Sequence, residues 1–506
     1  MLKAKTIQYG GAKLRISELL IRQKENVNLV IKKGKESITY QALHLAAVEI
    51  SESISTVLAN DSLCVTIFLP NSINYAKAYF AIQYINRIVV PVGTQAKSAE
   101  ILSTLEYCES DLIITDSQNI PYVKECLSEY AYKVFVFNID SFEISFGNCK
   151  EKLIKKSDTL SQNLSDDDVA IMLHTSGTTS NPKRVMLTHS NLINNIESNI
   201  SSLNLTKDDH VLISMPMYFG YCNTAQFLTH LYLGASIIIL DTMFLPKQFF
   251  QIVEQEKITN FTGVPSMLLM LLDYRYADKY DYTSLRYICF GGGKMPENKL
   301  KMLIEKYQSI GFVQTYGQTE CSPRVTALMP KYALSKLGSV GTPIPGVKVR
   351  VINEAMQKCK TNEIGEIVVS GKNTMKGYFK QPQITNNTII NGWVHTGDLG
   401  YLDKDGFLYL TGRIKNMIIS GGINIYPEEI EQILLEHEAV AEVCVIAEEH
   451  ERLGEVPVAK VILKSEVTTK ELSAYCSDRL ANYKVPVKYE FVSELPKTYN
   501  GKIRRH

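Results

Sequence analysis

Charge of either sign is scarcely in excess: 54 Lys and Arg face 53 Asp and Glu, a net charge of +1 over 506 residues. A non-specific nucleic-acid binder usually carries a basic surplus; none is present, and no nucleic-acid partner is expected. Ten cysteines run from Cys64 to Cys476 without one Cys-x-x-Cys pair. Neither a disulfide framework nor a zinc site is expected, and free thiols in a reducing compartment are. The start, Met1 to Tyr9, has no continuous apolar stretch and is not a secretory signal. The most apolar long segment, Tyr75 to Val92, is interrupted by Lys77, Asn86 and Arg87, so no membrane span is expected. Internal repeats and low-complexity tracts are absent. What is present is 45% apolar residues, enough for a sizeable core and incompatible with a disordered chain. The expectation is a soluble cytoplasmic protein.

Strand-like runs alternate with helical patterns over the first four hundred or so residues, the pattern of βαβ units on largely parallel sheets. Strands are expected at Cys64–Phe68, Arg87–Val92, Leu112–Thr115, Val211–Ser214, Ser236–Leu240, Tyr287–Phe290 and Gly311–Gln314, with helices at Ala76–Ile85 and Ala99–Tyr107. Ser157–Asp168 is polar and acidic and reads as an exposed linker. After about Val347, short strands at Lys348–Ile352, Glu366–Ser370 and Phe407–Thr411 are punctuated by Gly, Asp and Asn, which reads as a β-rich subdomain. From near Gly412, a helix at Glu428–Glu436, strands at Glu442–Ala447 and Val458–Leu463, and a helix at Leu472–Leu480 describe a compact α+β tail.

Four segments carry chemistry. Thr175-Ser-Gly-Thr-Thr-Ser-Asn-Pro-Lys183 follows the apolar Val169–Leu173; hydroxyls and free backbone N–H groups in a turn surround phosphate oxygens, and a Lys adds charge. It is not a Gly-x-x-x-x-Gly-Lys-Ser/Thr loop, and a plain polar turn has the same composition. Thr315-Tyr-Gly-Gln-Thr-Glu320 offers an aromatic face, a hydroxyl and a carboxylate that can hold Mg²⁺; alone it is a turn with a half-buried ring. His395-Thr-Gly-Asp398 with Gly412-Arg413 offers a carboxylate for ribose hydroxyls; alone it is a hairpin with a surface ion pair. Lys497-Thr-Tyr-Asn-Gly-Lys502 lies close to the end, where most lysines are simply solvated.

Together, in this order and spacing, these segments resemble the acyl-adenylate-forming superfamily of acyl-CoA synthetases, aryl-CoA ligases and peptide-synthetase adenylation domains. Gly412-Arg-Ile-Lys415 with Gly421–Pro427 resembles its hinge and following loop, and weaker similarity covers Leu69–Ser72 and Gly338–Gly346. The resemblance implies an α/β enzyme: a large N-terminal domain (1–412) of parallel-rich sheets with helices plus a β-rich subdomain, and a small mobile α+β C-terminal domain (413–506) that swings about Lys415. It implies ATP-dependent activation of a carboxylic acid through an acyl-AMP, then transfer to a thiol. Attack of a carboxylate on the α-phosphate brings two anions together, so charge must be neutralised as the transition state forms. The resemblance gives that role to Lys502, with Mg²⁺ held by Glu320 and Thr175. Thr175, Ser176, Gly177, Thr178, Thr179 and Lys183 would hold the β- and γ-phosphates, and Thr319 the α-phosphate. Gly291, Gly292, Gly293, Tyr316 and Gly317 would enclose adenine, and Asp398 and Arg413 the ribose. Ser420, Gly421 and Gly422 would line a thiol channel. No general base is needed, because the acid arrives ionised.

Several positions depart from the family pattern. Ser180 and Arg184 stand where it usually has Gly; Arg184 either adds a phosphate contact or crowds the turn. Phe219 stands where many CoA ligases have His, and Asn416 replaces an acidic residue beside the hinge. Counting back from Leu233-Gly-Ala-Ser236 places Tyr221 where amino-acid-activating relatives have Asp, so an α-amino acid is not expected. Tyr218, Phe219, Tyr221, Cys222 and Val325 would form the acyl pocket, open to an aryl acid or an alkyl chain; core packing is the plain alternative for Tyr218 and Tyr221. The sequence stops four residues after Lys502, so no fused carrier domain is expected. The acceptor is coenzyme A or the pantetheine arm of a separate acyl carrier protein. A non-catalytic nucleotide- or acyl-binding relative is the alternative of another class.

Overall fold

The computed structural model describes residues 14–128, 130, 132–146, 164–175, 183–240, 242–293, 295–497, 503 and 505. Among them the strands form sheets of fourteen, eight and five members. In the eight-stranded sheet, Val169–His174, Ile88–Pro91, Cys64–Ile67, Ser110–Thr115 and Phe135–Asn138 run parallel. Antiparallel strands close both edges. The central strands are buried on both faces, as parallel strands covered by helices must be.

The largest sheet changes character along its width. Ser236–Ile239, His210–Ile213, Asn260–Gly263, Tyr287–Phe290 and Gly311–Gly317 run parallel. Arg324–Leu328, Ser339–Pro343, Leu408–Arg413, Trp393–Leu402, Gly365–Gly371 and Val347–Ile352 then continue it antiparallel. Antiparallel pairing thus begins at Arg324, ahead of the β-rich change read near Val347. Tyr316-Gly317, read as following its strand, is instead the strand's end. The remaining expected elements lie where expected, with shifted ends: the helix expected from Ala76 starts at Ile73, capped by the Ser72 hydroxyl that accepts from the Tyr75 N–H.

The five-stranded sheet is built only from residues after Met417, with Pro427–Glu436 and Thr469–Ser477 packed on it around Ile418, Ile430, Val445 and Leu472. The boundary expected at 412/413 falls one residue inside Leu408–Arg413. Nine cysteines are described, and all but Cys359 are buried. No helix among the described residues is long and apolar enough to cross a membrane.

Candidate active site

Ligands of open α/β sheets sit beyond the carboxyl ends of the parallel strands. Here three such ends meet the sequence motifs: Val169–His174 runs into Thr175, Tyr287–Phe290 into Gly291–Gly293, and Gly311–Gly317 into Thr319–Cys321. Thr175 N–H donates to the Lys183 carbonyl at 3.2 Å, closing the base of the hydroxyl-rich loop. Ser176, Gly177, Thr178, Thr179 and Ser180 lie outside the described residues, as do Lys502 and residues 157–163 of the expected linker.

Close approach dictates two of the glycines. A Cβ on Gly317 would stand 1.8 Å from the Pro323 carbonyl oxygen, and one on Gly291 2.6 Å from that of Thr315. Gly292 has φ +77°, the left-handed region, and faces open space. These contacts hold the two strand ends close and leave backbone exposed, the geometry a flat ring needs.

Glu320 is fixed from two sides. Its carbonyl accepts from Met375 N–H at 2.8 Å, and its carboxylate Oε1 accepts from the Tyr378 hydroxyl at 2.8 Å. The Lys183 ammonium lies 4.9 Å from the centre of the Tyr378 ring. Lys183, Tyr378 and Glu320 therefore join the phosphate loop to the expected metal ligand. Burial, then the Glu320 charge, push the Tyr378 phenol far above its ordinary value, so it remains a donor. No group of three or more His, Cys, Asp or Glu that could hold a metal occurs among the described residues. A single carboxylate fits Mg²⁺, an ion that commonly takes one or two carboxylates and completes its shell with phosphate oxygens and water.

The ribose candidates meet across 82 residues of sequence: Tyr316 donates its hydroxyl to Asp398 Oδ2 at 2.7 Å. Arg413 Nε contacts Asp398 Oδ1 at 2.7 Å, and the two residues are directly paired between neighbouring strands. Asp398 raises the Arg413 pKa, and burial followed by the same charge raises that of Tyr316. Asp398 is aimed by its own motif: Thr396 Oγ1 accepts from Asp398 N–H at 3.0 Å, and Glu366 takes both His395 Nδ1 at 2.8 Å and Gly397 N–H at 3.1 Å. Partial burial lowers the Lys415 pKa, followed by Arg413, Lys183 and Arg505, so the lysine expected at the hinge lies among these cations.

The acyl-pocket candidates divide. The Tyr221 hydroxyl lies 2.6 Å from Thr315 Oγ1, which donates to the Phe290 carbonyl at 3.1 Å. Tyr221 is thus tied to the Gly291 strand end. The Tyr218 ring lies 4.5 Å from that of Phe219, tilted 56° to it, and fills the space beside Gly93. Cys222 and Val325 are fully buried in separate core clusters, Cys222 with Tyr75 and Phe227, and Val325 with Tyr316 and Cys321. Arg184 is buried and donates to the Thr104 hydroxyl at 2.5 Å. Asn416 donates to Glu428 at 2.7 Å. Ser420 is buried, and Gly421 and Gly422, at φ +57° and +81°, form the tight turn of a hairpin whose hydrogen bonds run to Leu453 and Glu455. None of these bonds joins the hairpin to the nucleotide residues.

Sequence reading missed Tyr378, Cys289 and Arg324. The last had a signal: a cation at the head of the run Val325–Leu328, shortly after Thr315–Glu320. The other two are ordinary strand residues.

Comparison with known proteins places this geometry. The family model described as AMP-binding enzyme matches residues 21–379, and that of the AMP-binding enzyme C-terminal domain matches 429–502. A 2-succinylbenzoate–CoA ligase of Bacillus cytotoxicus is 33% identical over 477 residues, 94% of each chain. The o-succinylbenzoate coenzyme A synthetase of Bacillus subtilis, solved with its acyl-adenylate intermediate, superimposes with a TM-score of 0.85 at 30% identity over 96% of both chains. The same enzyme solved with ATP and magnesium also gives 0.85, over 96% of this chain and 98% of that one.

Proposed function

The chain belongs to the AMP-binding enzyme family and is an acyl-adenylate-forming acid–thiol ligase; from that premise we propose that it joins 2-succinylbenzoate to coenzyme A. The observation that carries the reading is the convergence of Lys183, Tyr378, Glu320, Tyr316, Asp398 and Arg413 at the carboxyl ends of parallel strands. The choice of acid and acceptor draws support from relatives that match nearly the whole chain and whose names include both. Those names favour coenzyme A over the carrier-protein arm.

In this reading, a carboxylate oxygen of the acid attacks the α-phosphate of ATP and pyrophosphate leaves. The coenzyme A thiol, giving up its proton, then attacks the acyl carbon and AMP leaves. Bound Mg²⁺ would offset phosphate charge, held by the Glu320 oxygens with Thr175 alongside. Lys183 and the loop 175–179 hold the terminal phosphates, and Thr319 the α-phosphate. Asp398, preset by Tyr316 and Arg413, accepts from the ribose hydroxyls. Adenine lies between Tyr316 and the exposed backbone of Gly291–Gly293. Lys502 neutralises the two anions in the first step. Residues 413–506 turn about Lys415 between the steps, bringing Ser420–Gly422 to the thiol.

The experiment is pyrophosphate release with ATP, Mg²⁺ and a panel of acids, with and without coenzyme A, and the products weighed by mass spectrometry. The reading requires 2-succinylbenzoyl-CoA as the product of highest kcat/KM. Preferential turnover of an alkyl monoacid, or an acyl-AMP that accumulates despite coenzyme A, would overturn it.

A further inference from the structure

Arg324 is the largest fully buried side chain, 2% exposed, and no described carboxylate pairs with it. Its Nε and Nη1 have no hydrogen-bond partner. Its surroundings are the Tyr221 ring, whose centre is 5.9 Å from the guanidinium carbon, the Tyr221 hydroxyl and the Cys289 thiol. A cation over an aromatic ring gains about 1–2 kcal/mol, whereas desolvating an ion costs several kcal/mol. The ring therefore does not balance the burial. A guanidinium stays charged, so Arg324 is a buried cation with donors available to an anionic group.

The position says which anion fits. Arg324 is paired directly with Gly317 and follows the turn that carries Glu320. Tyr221, against which it packs, is bonded to Thr315 beneath Gly291, where the acyl pocket meets the nucleotide site. Its backbone is rigid: Asn195 Nδ2 donates to the Arg324 carbonyl at 2.8 Å, from a helix whose first turn is closed by a Thr188–Asn191 capping box. Arg184, the other fully buried arginine, gives its charge-bearing group to Thr104 beneath the other sheet. Arg324 alone is held beside the pocket with donors to spare.

We infer that Arg324 is a specificity-determining residue that pairs with a second anionic group on the acid, the carboxylate that does not react. The inference rests on the proposed acid activation and deepens it. The substrate is a dicarboxylate, one end activated and the other held by the N–H donors of the Arg324 guanidinium, the group arginine offers to carboxylates. A monoacid of the same shape leaves the guanidinium buried and unpaired, which penalises it strongly.

The test measures kcat/KM for matched acids on the same preparations of wild type, Arg324→Met, Arg324→Gln and Arg324→Lys. One set is 2-succinylbenzoate against its two monoacid analogues, 4-oxo-4-phenylbutanoate and 2-butanoylbenzoate. A second is adipate against hexanoate. Ratios within one preparation cancel any general loss of folded enzyme. The expected result is a diacid preference of roughly 100-fold or more in wild type. Arg324→Met and Arg324→Gln should lose most of it, and Arg324→Lys should recover part. A wild-type enzyme indifferent to the second carboxylate would overturn the inference, as would variants that keep the wild-type ratio. An Arg324-dependent preference for adipate, with 2-succinylbenzoate idle, would uphold Arg324 and sink the proposed acid.

Discussion

At the scale of single residues, the site is a set of side chains whose alternatives have been removed by their neighbours. Glu320 illustrates this. Its backbone is tied to Met375 and one carboxylate oxygen to Tyr378, so the charge is held in place before any ligand arrives. Preorganisation of this kind is what makes a single carboxylate effective. Replacing Glu320 by Gln keeps the Tyr378 contact and the fold but removes the negative charge. The expected outcome is a fall of roughly 100-fold in kcat/KM for pyrophosphate release, about 2.7 kcal/mol, with a higher Mg²⁺ requirement and an unchanged melting temperature. A variant with wild-type Mg²⁺ dependence would remove Glu320 from the metal site. The sequence showed Glu320 and Asp398 as motif members but not what aims them. The Tyr316–Asp398 bond joins positions 82 apart, and such contacts are products of the sheet order.

At the scale of elements, the strand Gly311–Gly317 does most to build the site. Its end carries Thr315 and Tyr316, and its last residue allows Pro323 to pass against it. Gly317→Ala places a methyl group into the Pro323 carbonyl. The turn Thr319–Cys321 must then shift, carrying Glu320 with it. The expected loss is on the order of 3 kcal/mol of stability, read as a lower urea midpoint, together with lost activity. An alanine variant of normal stability would show that the turn yields. The alternation of strands and helices was legible because buried parallel strands are continuous apolar runs. The handover from parallel to antiparallel pairing at Arg324 was not, since Arg324–Leu328 has the composition of a buried strand in either direction. Arg324 itself breaks the apolar pattern and was passed over for Val325 beside it. A buried, unpaired cation is a tertiary fact that no local pattern displays.

At the scale of the whole molecule, the proposed reaction needs two arrangements of one chain. The proposed nucleotide residues belong to the fourteen- and eight-stranded sheets, and the glycine hairpin Ile418–Ile425 belongs to a separate one. Gln432 meets Glu297 at 3.3 Å, a contact between the two bodies that a domain rotation would break. The proposed reaction uses Lys502 in the first arrangement only. Lys502→Ala should therefore abolish acyl-AMP formation, by at least 100-fold in rate, and spare thioester formation from supplied acyl-AMP. Equal loss of both half-reactions would show its role to be wrong. The central claim, that the acid is activated by its own oxygen attacking the α-phosphate, has a direct test. The acid is supplied with ¹⁸O in both carboxylates, and the AMP released in the presence of coenzyme A is weighed. The account predicts AMP heavier by one ¹⁸O and unlabelled pyrophosphate. Unlabelled AMP, or label in a phosphate cleaved from the other end of ATP, would contradict it.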